Sequence, residues 1–254
     1  MMKRTLLVTS LLCAATVSGQ AVAQTQYSKE EVGQIAAEYL IENPQFLIQA
    51  NERLQQIQRQ QAHANQVEQV IAHQEQLINK QTPYMGNPEA SIAVIEFTDY
   101  RCGYCQRMAP VIDELLDSHP DIQFRFKETP VLGQASLLPA QLGLAVYDQK
   151  GAQAYAEYHH QAYKAKTPQA LSDIASQMGV SVTGAAEWNK TLNENTQLFN
   201  QLGFRGTPAF IVMPTSGANA SNIQIVAGAN TEGLQAAIDK IKNTQTNSDT
   251  RAKS

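Results

Sequence analysis

Cysteine is scarce in this 254-residue sequence: Cys13, Cys102 and Cys105 are all it has. So few thiols exclude a scaffold stapled by several disulfides, and stability has to come from packing. Lys and Arg are too few to dominate; 19 of them against 23 Asp and Glu leave a formal net charge of −4, which gives no support to nucleic-acid binding. Past the first two dozen residues, no apolar run approaches the roughly 18 residues that would span a bilayer. Glycine is absent between Gly33 and Gln81, and Pro44 is the one proline there. That stretch is loaded with Gln, Glu and Ala and therefore reads as helix. What remains, 43% hydrophobic and 17% charged, is ordinary for a globular domain with an appendage.

The amino terminus has its own pattern. Lys3 and Arg4 form a basic n-region, Leu6 to Val17 an apolar h-region, and Ala21-Val22-Ala23 a small-residue cleavage site. Residues 1–23 are thus expected to be a signal peptide, cleaved before Gln24, and the protein to be exported to the periplasm. Cys13 leaves with the leader; Leu12 before it is not the small residue a lipoprotein signal wants. The mature chain, expected to be soluble, then carries a net charge of −6 and only Cys102 and Cys105 as thiols. Those two must work on each other.

Residues 24–82 read as a helical extension that serves as an oligomerisation stalk. Ser28 with Glu31 makes a capping box, and Asn43-Pro44 ends one helix and starts another. On the second helix Leu47, Ala50, Leu54, Ile57, Gln61 and Ala64 follow three-four spacing, and Val67, Ile71, Gln74 and Ile78 resume it after a slip of phase. A helix of about 35 residues with so thin a seam is not stable alone in water, so it is expected to pack on a copy of itself. The alternative is a long solvated helix folded back on its own domain.

Thr82 to Pro88, with two prolines and a glycine, reads as a hinge, and residues 83–243 as an α/β domain. Strands are expected at Ile92–Phe97, Ile122–Phe126, Ala209–Met213 and Ile223–Ala227. Gln106 to Ser118 places Met108, Val111, Ile112, Leu115 and Leu116 on one helical face. Residues 136–201 are helical in pattern, with Thr167-Pro168 capping one helix, Gly179 ending it, and Ala185–Gln201 forming another around Trp188. Thr231–Lys242 closes with a helix, and residues 244–254 are expected to be a disordered tail.

Cys102-Gly103-Tyr104-Cys105 therefore follows a strand and opens a helix. A sulfur there sits among unpaired backbone N–H groups at the positive end of the helix dipole, where thiolate is favoured. Cys102 is assigned as the nucleophile; Cys105, one turn deeper on the same face, is the resolving thiol. Structural zinc would need about four ligands and finds no second pair. A structural staple closing so small a loop would stabilise little. Two buried packing cysteines leave Gly103-Tyr104 without a reason.

The segment Glu96-Phe97-Thr98-Asp99-Tyr100-Arg101-Cys102-Gly103-Tyr104-Cys105, together with Gly206-Thr207-Pro208-Ala209-Phe210, resembles the thioredoxin superfamily and, within it, the DsbA-like periplasmic thiol-disulfide oxidoreductases. The match covers residues 83 to 243. It implies a thioredoxin-like fold with a helical insertion, preceded by the helical extension. It also implies that Pro208 is the cis-proline facing the cysteines, with Thr207 presenting its backbone to an extended substrate. Glu96 matches the buried acid that helps move the proton of the inner cysteine; a partly buried surface glutamate is the other reading. Gly103 and Tyr104, which tune the thiolate, and Thr207 are similar to the residues found in disulfide isomerases. The amino-terminal helices resemble the extension of the suppressor-of-copper-sensitivity C type, some members of which are trimers.

The function expected is a periplasmic oxidoreductase that forms, reduces or isomerises disulfides in exported cysteine-containing proteins, isomerase or reductase favoured. No cofactor is expected beyond a redox-active Cys102–Cys105 disulfide. The partners expected are those clients, a membrane redox protein and further copies of the chain, as a trimer. Two alternatives stay open: copper(I) binding by the same soft pair, and an oligomeric periplasmic chaperone. His159-His160 is expected to sit in an amphipathic helix with one histidine outward rather than at a copper site.

Overall fold

The computed structural model describes residues 27–181 and 185–252, so the expected leader lies outside the described residues. The chain divides into two compact units between Gln56 and Ile57.

In the first unit, helix α1 (Lys29–Glu42) begins with the expected capping box: the Glu31 N–H donates to the Ser28 hydroxyl at 3.2 Å, and the Ser28 N–H to the Glu31 carboxylate at 2.8 Å. Asn43 closes it, donating from both backbone and side chain to the Tyr39 carbonyl. Pro44 fills the turn before α2 (Gln45–Ala72), and the rings of Tyr39 and Phe46 stack 5.8 Å apart across it. No residue of α1 is buried. Up to Gln56, α2 buries none either; its buried residues are Val67 and Val70.

The second unit begins inside α2. A one-turn helix α3 (Gln74–Leu77) follows the break at His73, then β1 (Tyr84–Gly86), β2 (Ile92–Thr98), α4 (Gly103–Ser118), β3 (Ile122–Glu128), α5 (Leu137–Ala162), α6 (Pro168–Gln177), α7 (Asn189–Gln201), β4 (Ala209–Pro214), β5 (Gln224–Ala227) and α8 (Thr231–Ala252). The sheet order is β1-β3-β2-β4-β5. β2 and β3 are parallel; every other pairing is antiparallel. Helices lie on both faces, the thioredoxin-like α/β arrangement expected, with α5 to α7 inserted between β3 and β4.

Strand alternation sorts the core. Ile92 and Val94 of β2, Phe124 and Phe126 of β3, and Phe210 and Val212 of β4 pack with Met108, Ile112 and Leu115 of α4 and Leu234, Ile238 and Ile241 of α8. Ala93, Ile95 and Phe97 face the other way, against Leu198 and Phe199 of α7. Val67, Val70 and Leu77 belong to that second cluster too. At about 1.5–3 kcal/mol for each buried aliphatic side chain, residues 57–82 are part of this domain and not of a separate stalk. The seam's slip of phase between Ala64 and Val67 falls where the helix turns its apolar residues onto the sheet domain. The boundary expected at residue 82 therefore moves back to Ile57.

Other expectations are corrected locally. The hinge contains a strand: Tyr84–Gly86 pairs with Gln123–Arg125, and Gly86 (φ +91°) passes so close to Leu116 and Ile122 that a side chain there would have to displace Leu116 in a backbone conformation that favours glycine. The helix expected from Gln106 starts at Gly103. Ala185–Trp188 is a 3₁₀ turn ahead of α7. The tail expected to be disordered from residue 244 continues α8 to Ala252, and its Gln245 amide donates to the Ser91 carbonyl at 3.2 Å, giving the added turn a partner in the loop before β2. Thr167 caps α6 as expected, its hydroxyl accepting from the Ala170 N–H at 3.1 Å. No helix among the described residues is long and apolar enough to cross a membrane.

Candidate active site

β2 delivers the chain to the site at its carboxyl end. Asp99 fixes the turn: one carboxylate oxygen accepts from the Arg101 N–H at 2.8 Å and the other from the Leu132 N–H at 3.0 Å, tying the loop after β2 to the loop after β3. Cys102 then occupies the N-cap of α4 with extended backbone (φ −83°, ψ 113°). Both cysteines are free thiols. Cys102 is 8% exposed and Cys105, one turn into α4, is fully buried.

This placement splits the two sulfurs chemically. Hydrogen bonding from the Cys105 side chain, the Thr207 side chain and the backbone N–H groups of Tyr104 and Cys105 outweighs burial and draws the Cys102 thiol down to about 5. Burial pushes Cys105 the other way, far above an ordinary thiol, and its bond to Cys102 and the nearby Glu96 carboxyl add to the rise. When protonated, the Cys102 thiol donates to the Thr207 carbonyl at 3.1 Å.

Thr207-Pro208 is a cis peptide bond, as the resemblance implied, and it lies directly against Cys102. A groove of about 620 Å³ opens over Cys102, with Arg101, Leu132, Phe204 and Arg205 on its walls. A second, of about 710 Å³, lies on the far side of Tyr104 and Thr207. Tyr104 is 58% exposed, and Arg107 stacks over its ring at 4.2 Å. Gly103 has no tight neighbour; an added Cβ would come no nearer than 3.9 Å to Arg107, so sterics do not demand glycine there.

Glu96 is 1% exposed, which decides between the two readings of that residue in favour of the buried acid. In the ladder it stands between Phe126 and Phe210, and neither carboxyl oxygen has a hydrogen-bond partner. Burial accordingly holds its carboxyl well above the usual carboxylate range; the Thr98 hydroxyl beside it pulls the other way, and Glu128 and Cys102 add further upward pushes. The structure thus brings Cys102, Cys105, Tyr104, Thr207 and Pro208 together, with Tyr104 exposed, Cys105 and Pro208 buried, and Glu96 close to both sulfurs.

Sequence reasoning missed the polar layer around Glu96. Glu128 is fully buried and accepts from the Tyr100 hydroxyl at 2.9 Å and the Tyr155 hydroxyl at 2.6 Å. The His159 Nδ1 lies 3.2 Å from the Tyr100 hydroxyl, and burial holds that imidazole down at about 3. The signal was available. The alternation Ile122, Phe124, Phe126 continues to Glu128 on the same face, and Tyr155 and His159 are four apart on one side of a helix. His160 points outward to Asp113 at 3.2 Å, so one histidine of the pair is inward and one outward, as expected. Among the described residues, no group of three or more His, Cys, Asp or Glu is placed to hold a metal ion.

Comparison with known proteins bears on the same residues. The family model described as Thioredoxin matches residues 78–240, and that described as Copper resistance protein ScsC N-terminal domain matches residues 29–61. No curated protein matches the chain. Among solved structures, BcfH of Salmonella enterica Typhimurium is similar at 31% identity, covering 84% of this chain and 95% of its own, with a TM-score of 0.74. The thiol-disulfide exchange protein α-DsbA2 of Wolbachia pipientis is similar at 26% identity over 71% of this chain and 98% of its own, TM-score 0.60. ScsC of Proteus mirabilis, in a compact conformation, is similar at 26% over 74% and 98%, TM-score 0.54.

Proposed function

This chain belongs to the thioredoxin family, within it to the DsbA-like thiol-disulfide oxidoreductases of the ScsC type, and on that premise we propose that it reduces or isomerises disulfides in exported proteins in the periplasm. The observation that carries the reading is the division of labour between the sulfurs: one held as thiolate at the mouth of α4, its neighbour buried and protonated.

In the proposed cycle the Cys102 thiolate attacks one sulfur of a client disulfide. A Cys102–client disulfide forms, and the other client sulfur leaves as thiolate and takes a proton from water. Cys105 then gives up its proton and attacks Cys102, expelling the client's second thiolate. The client gains two electrons and the Cys102–Cys105 disulfide is the oxidised product. In isomerisation a client thiolate instead attacks the mixed disulfide, and Cys102 is released unchanged. Thr207 presents its carbonyl beside Cys102 and would pair with an extended client strand, while the two grooves receive the flanking side chains.

The isomerase role is favoured by the amino-terminal unit. Val32, Ile35, Tyr39, Ile41, Leu47, Ile48 and Leu54 are all exposed, Ile41 to 78%. Helices that bury nothing of their own are poor folding units, and further copies of the chain, in a trimer, would cover these side chains and gather several sites on one assembly. Incubation with a scrambled, disulfide-bonded client tests the proposal. Cys105→Ser should accumulate a mixed disulfide at Cys102, and Cys102→Ser should abolish turnover. Retained turnover in Cys102→Ser would refute it.

A further inference from the structure

Two buried carboxyl groups share one face of the sheet, and only one of them is solvated by the protein. Glu96 and Thr98 alternate onto the same side of β2, and their parallel partners on β3 are Phe126 and Glu128. Glu96 has no hydrogen-bond donor at either oxygen. Glu128 has a converging set. The Tyr100 and Tyr155 hydroxyls both donate to its Oε1, at 2.9 and 2.6 Å. Since the Tyr100 proton is committed to Glu128, the contact between the Tyr100 oxygen and His159 Nδ1 at 3.2 Å requires the imidazole to donate from Nδ1. His159 Nε2 is then a bare lone pair, in keeping with its having no partner. The chain of donors runs from His159 through Tyr100 to Glu128.

Among the described residues the neighbouring polar groups are engaged elsewhere. Tyr158 donates instead to the Pro139 carbonyl at 2.8 Å, and Tyr163 pairs with the Thr98 hydroxyl at 2.7 Å. From α7, Asn195 donates to the Glu128 backbone carbonyl, not to its carboxyl group. Asp99 is the other acid in reach, held by two backbone N–H groups. Lys127 points to the opposite side, to the Gln76 carbonyl and the Thr82 hydroxyl. Gly143 keeps the cluster closed: a Cβ there would come within 3.1 Å of both Glu128 Oε1 and the Tyr100 hydroxyl.

We propose that Glu128 is a positioning residue for the proton step at Cys105: the first negative charge this buried cluster takes on settles on Glu128, and its repulsion keeps Glu96 in the acid form that protonates Cys105 when that sulfur leaves. The proposal rests on the thiol chemistry above. It places the charge where the tyrosine donors converge and the transferable proton where the geometry gives no hydrogen bond, the Thr98 hydroxyl beside Glu96 being paired with Tyr163. Consistently, the Glu128 carboxyl stands at about 8, raised by burial and restrained by the two tyrosines, while Glu96 stands well above its usual range partly because of Glu128.

The step concerned is reduction of the Cys102–Cys105 disulfide. A dithiol's thiolate attacks Cys102, the disulfide breaks, and Cys105 leaves with the bonding electrons and takes the Glu96 proton. The reductant's second thiol then gives its proton to water and displaces Cys102 as thiolate, the reductant ends as a cyclic disulfide, and water reprotonates Glu96. Two electrons have moved to the protein.

The test is the rate of this reduction by a small neutral dithiol from pH 5 to 10, for the oxidised full chain, Glu128→Gln and Tyr155→Phe, read by acid-quenched mass and expressed as the ratio of variant to wild type, which cancels the reductant's own ionisation. Glu128→Gln removes the repelling charge, so the limb at which Glu96 loses its proton should move down by on the order of one pH unit. Tyr155→Phe removes one donor and should move it the same way by less. Superimposable profiles, or a limb moved upward, overturn the proposal. A merely structural role for Glu128 would lower thermal stability without moving the limb, and that outcome also overturns it. Should Glu128→Gln fail to fold, the Tyr155→Phe profile decides alone. Failure of the underlying thiol reading is seen separately, as turnover persisting in Cys102→Ser.

Discussion

Replacing Cys105 with alanine should raise the pKa of Cys102, even though no charge is removed. The hydrogen bond from the Cys105 side chain is the largest influence holding Cys102 at about 5. A hydrogen bond to a charged group is worth about 1.5–3 kcal/mol. At about 1.4 kcal/mol per pH unit, its loss should carry Cys102 to about 6–7. Serine keeps a donor at that place and should fall between. The assay is the ultraviolet absorbance of the thiolate against pH in reduced protein, with Cys102→Ser as the blank. Reactivity toward a small disulfide is a second measure, but only at acid pH. At pH 7 the gain in thiolate fraction is offset by the weaker nucleophilicity of a more acidic thiol. At pH 5.5 the thiolate fraction should drop from about three quarters to about a quarter or less, and the two effects no longer cancel. A midpoint in Cys105→Ala that stays within about 0.3 of the wild-type value, or moves lower, would show that the backbone at the start of α4 holds the thiolate unaided.

Three further outcomes follow from the packing and the titrating groups. A chain beginning at Ile57 should fold as a stable unit by thermal denaturation, whereas one beginning at Tyr84 loses Val67, Val70 and Leu77 from the core and should be about 5 kcal/mol less stable; equal stability of the two would return residues 57–82 to the stalk. The reduced form should gain stability over the oxidised form as pH rises from about 5 to 9, because a thiol lowered from 9.0 to about 5 by folding releases its proton earlier in the folded state. That gain should vanish as pH falls toward 5, and reduced Cys102→Ser, which cannot form the disulfide, should show no such rise in melting temperature relative to the reduced wild type; a gap independent of pH contradicts the low value. Gly86→Ala would force a Cβ to within 2.5 Å of Leu116 at a φ of +91° and should cost about 2–4 kcal/mol, measured by denaturant unfolding, with a loss below about 0.5 contradicting the close approach.

The catalytic half of the fold was legible because its signals are local. Short apolar, β-prone runs set β2 and β4, and alternation set β3; the apolar face of α4 set which side it packs on; and Thr167 announced α6 through a cap whose mechanism is confined to four residues. The errors arose where a segment's fate depends on a distant one. Val67 and Ile71 looked like a continuation of the stalk because three-four spacing says only that a face is covered, not what covers it. Tyr84–Gly86 carries turn residues and is a strand only because β3 offers an edge to pair with. Gln245 looked solvated because its partner, the Ser91 carbonyl, is 154 residues away.

The site divides along the same line. Cys102, Cys105, Thr207 and Pro208 could be named in advance because sulfur chemistry at a helix start needs only a handful of neighbours. The groups that set the proton balance beneath them could not. Tyr100, Glu128, Tyr155 and His159 come from β2's end, β3 and α5; strand parity and four-residue spacing put Glu128, Tyr155 and His159 on inward faces, but nothing local says that they meet one another. A carboxyl group is forced into this layer by strand parity, since the face that takes Phe124 and Phe126 into the core also takes Glu128. Once there it must be hydrogen-bonded or stay neutral. The tyrosines answer that requirement for Glu128; Glu96, with no hydrogen-bond partner among the described residues, meets it by staying neutral. The asymmetry matters because a buried acid that stays protonated is useful only beside a group that periodically needs a proton, and Cys105 is such a group each time its disulfide opens.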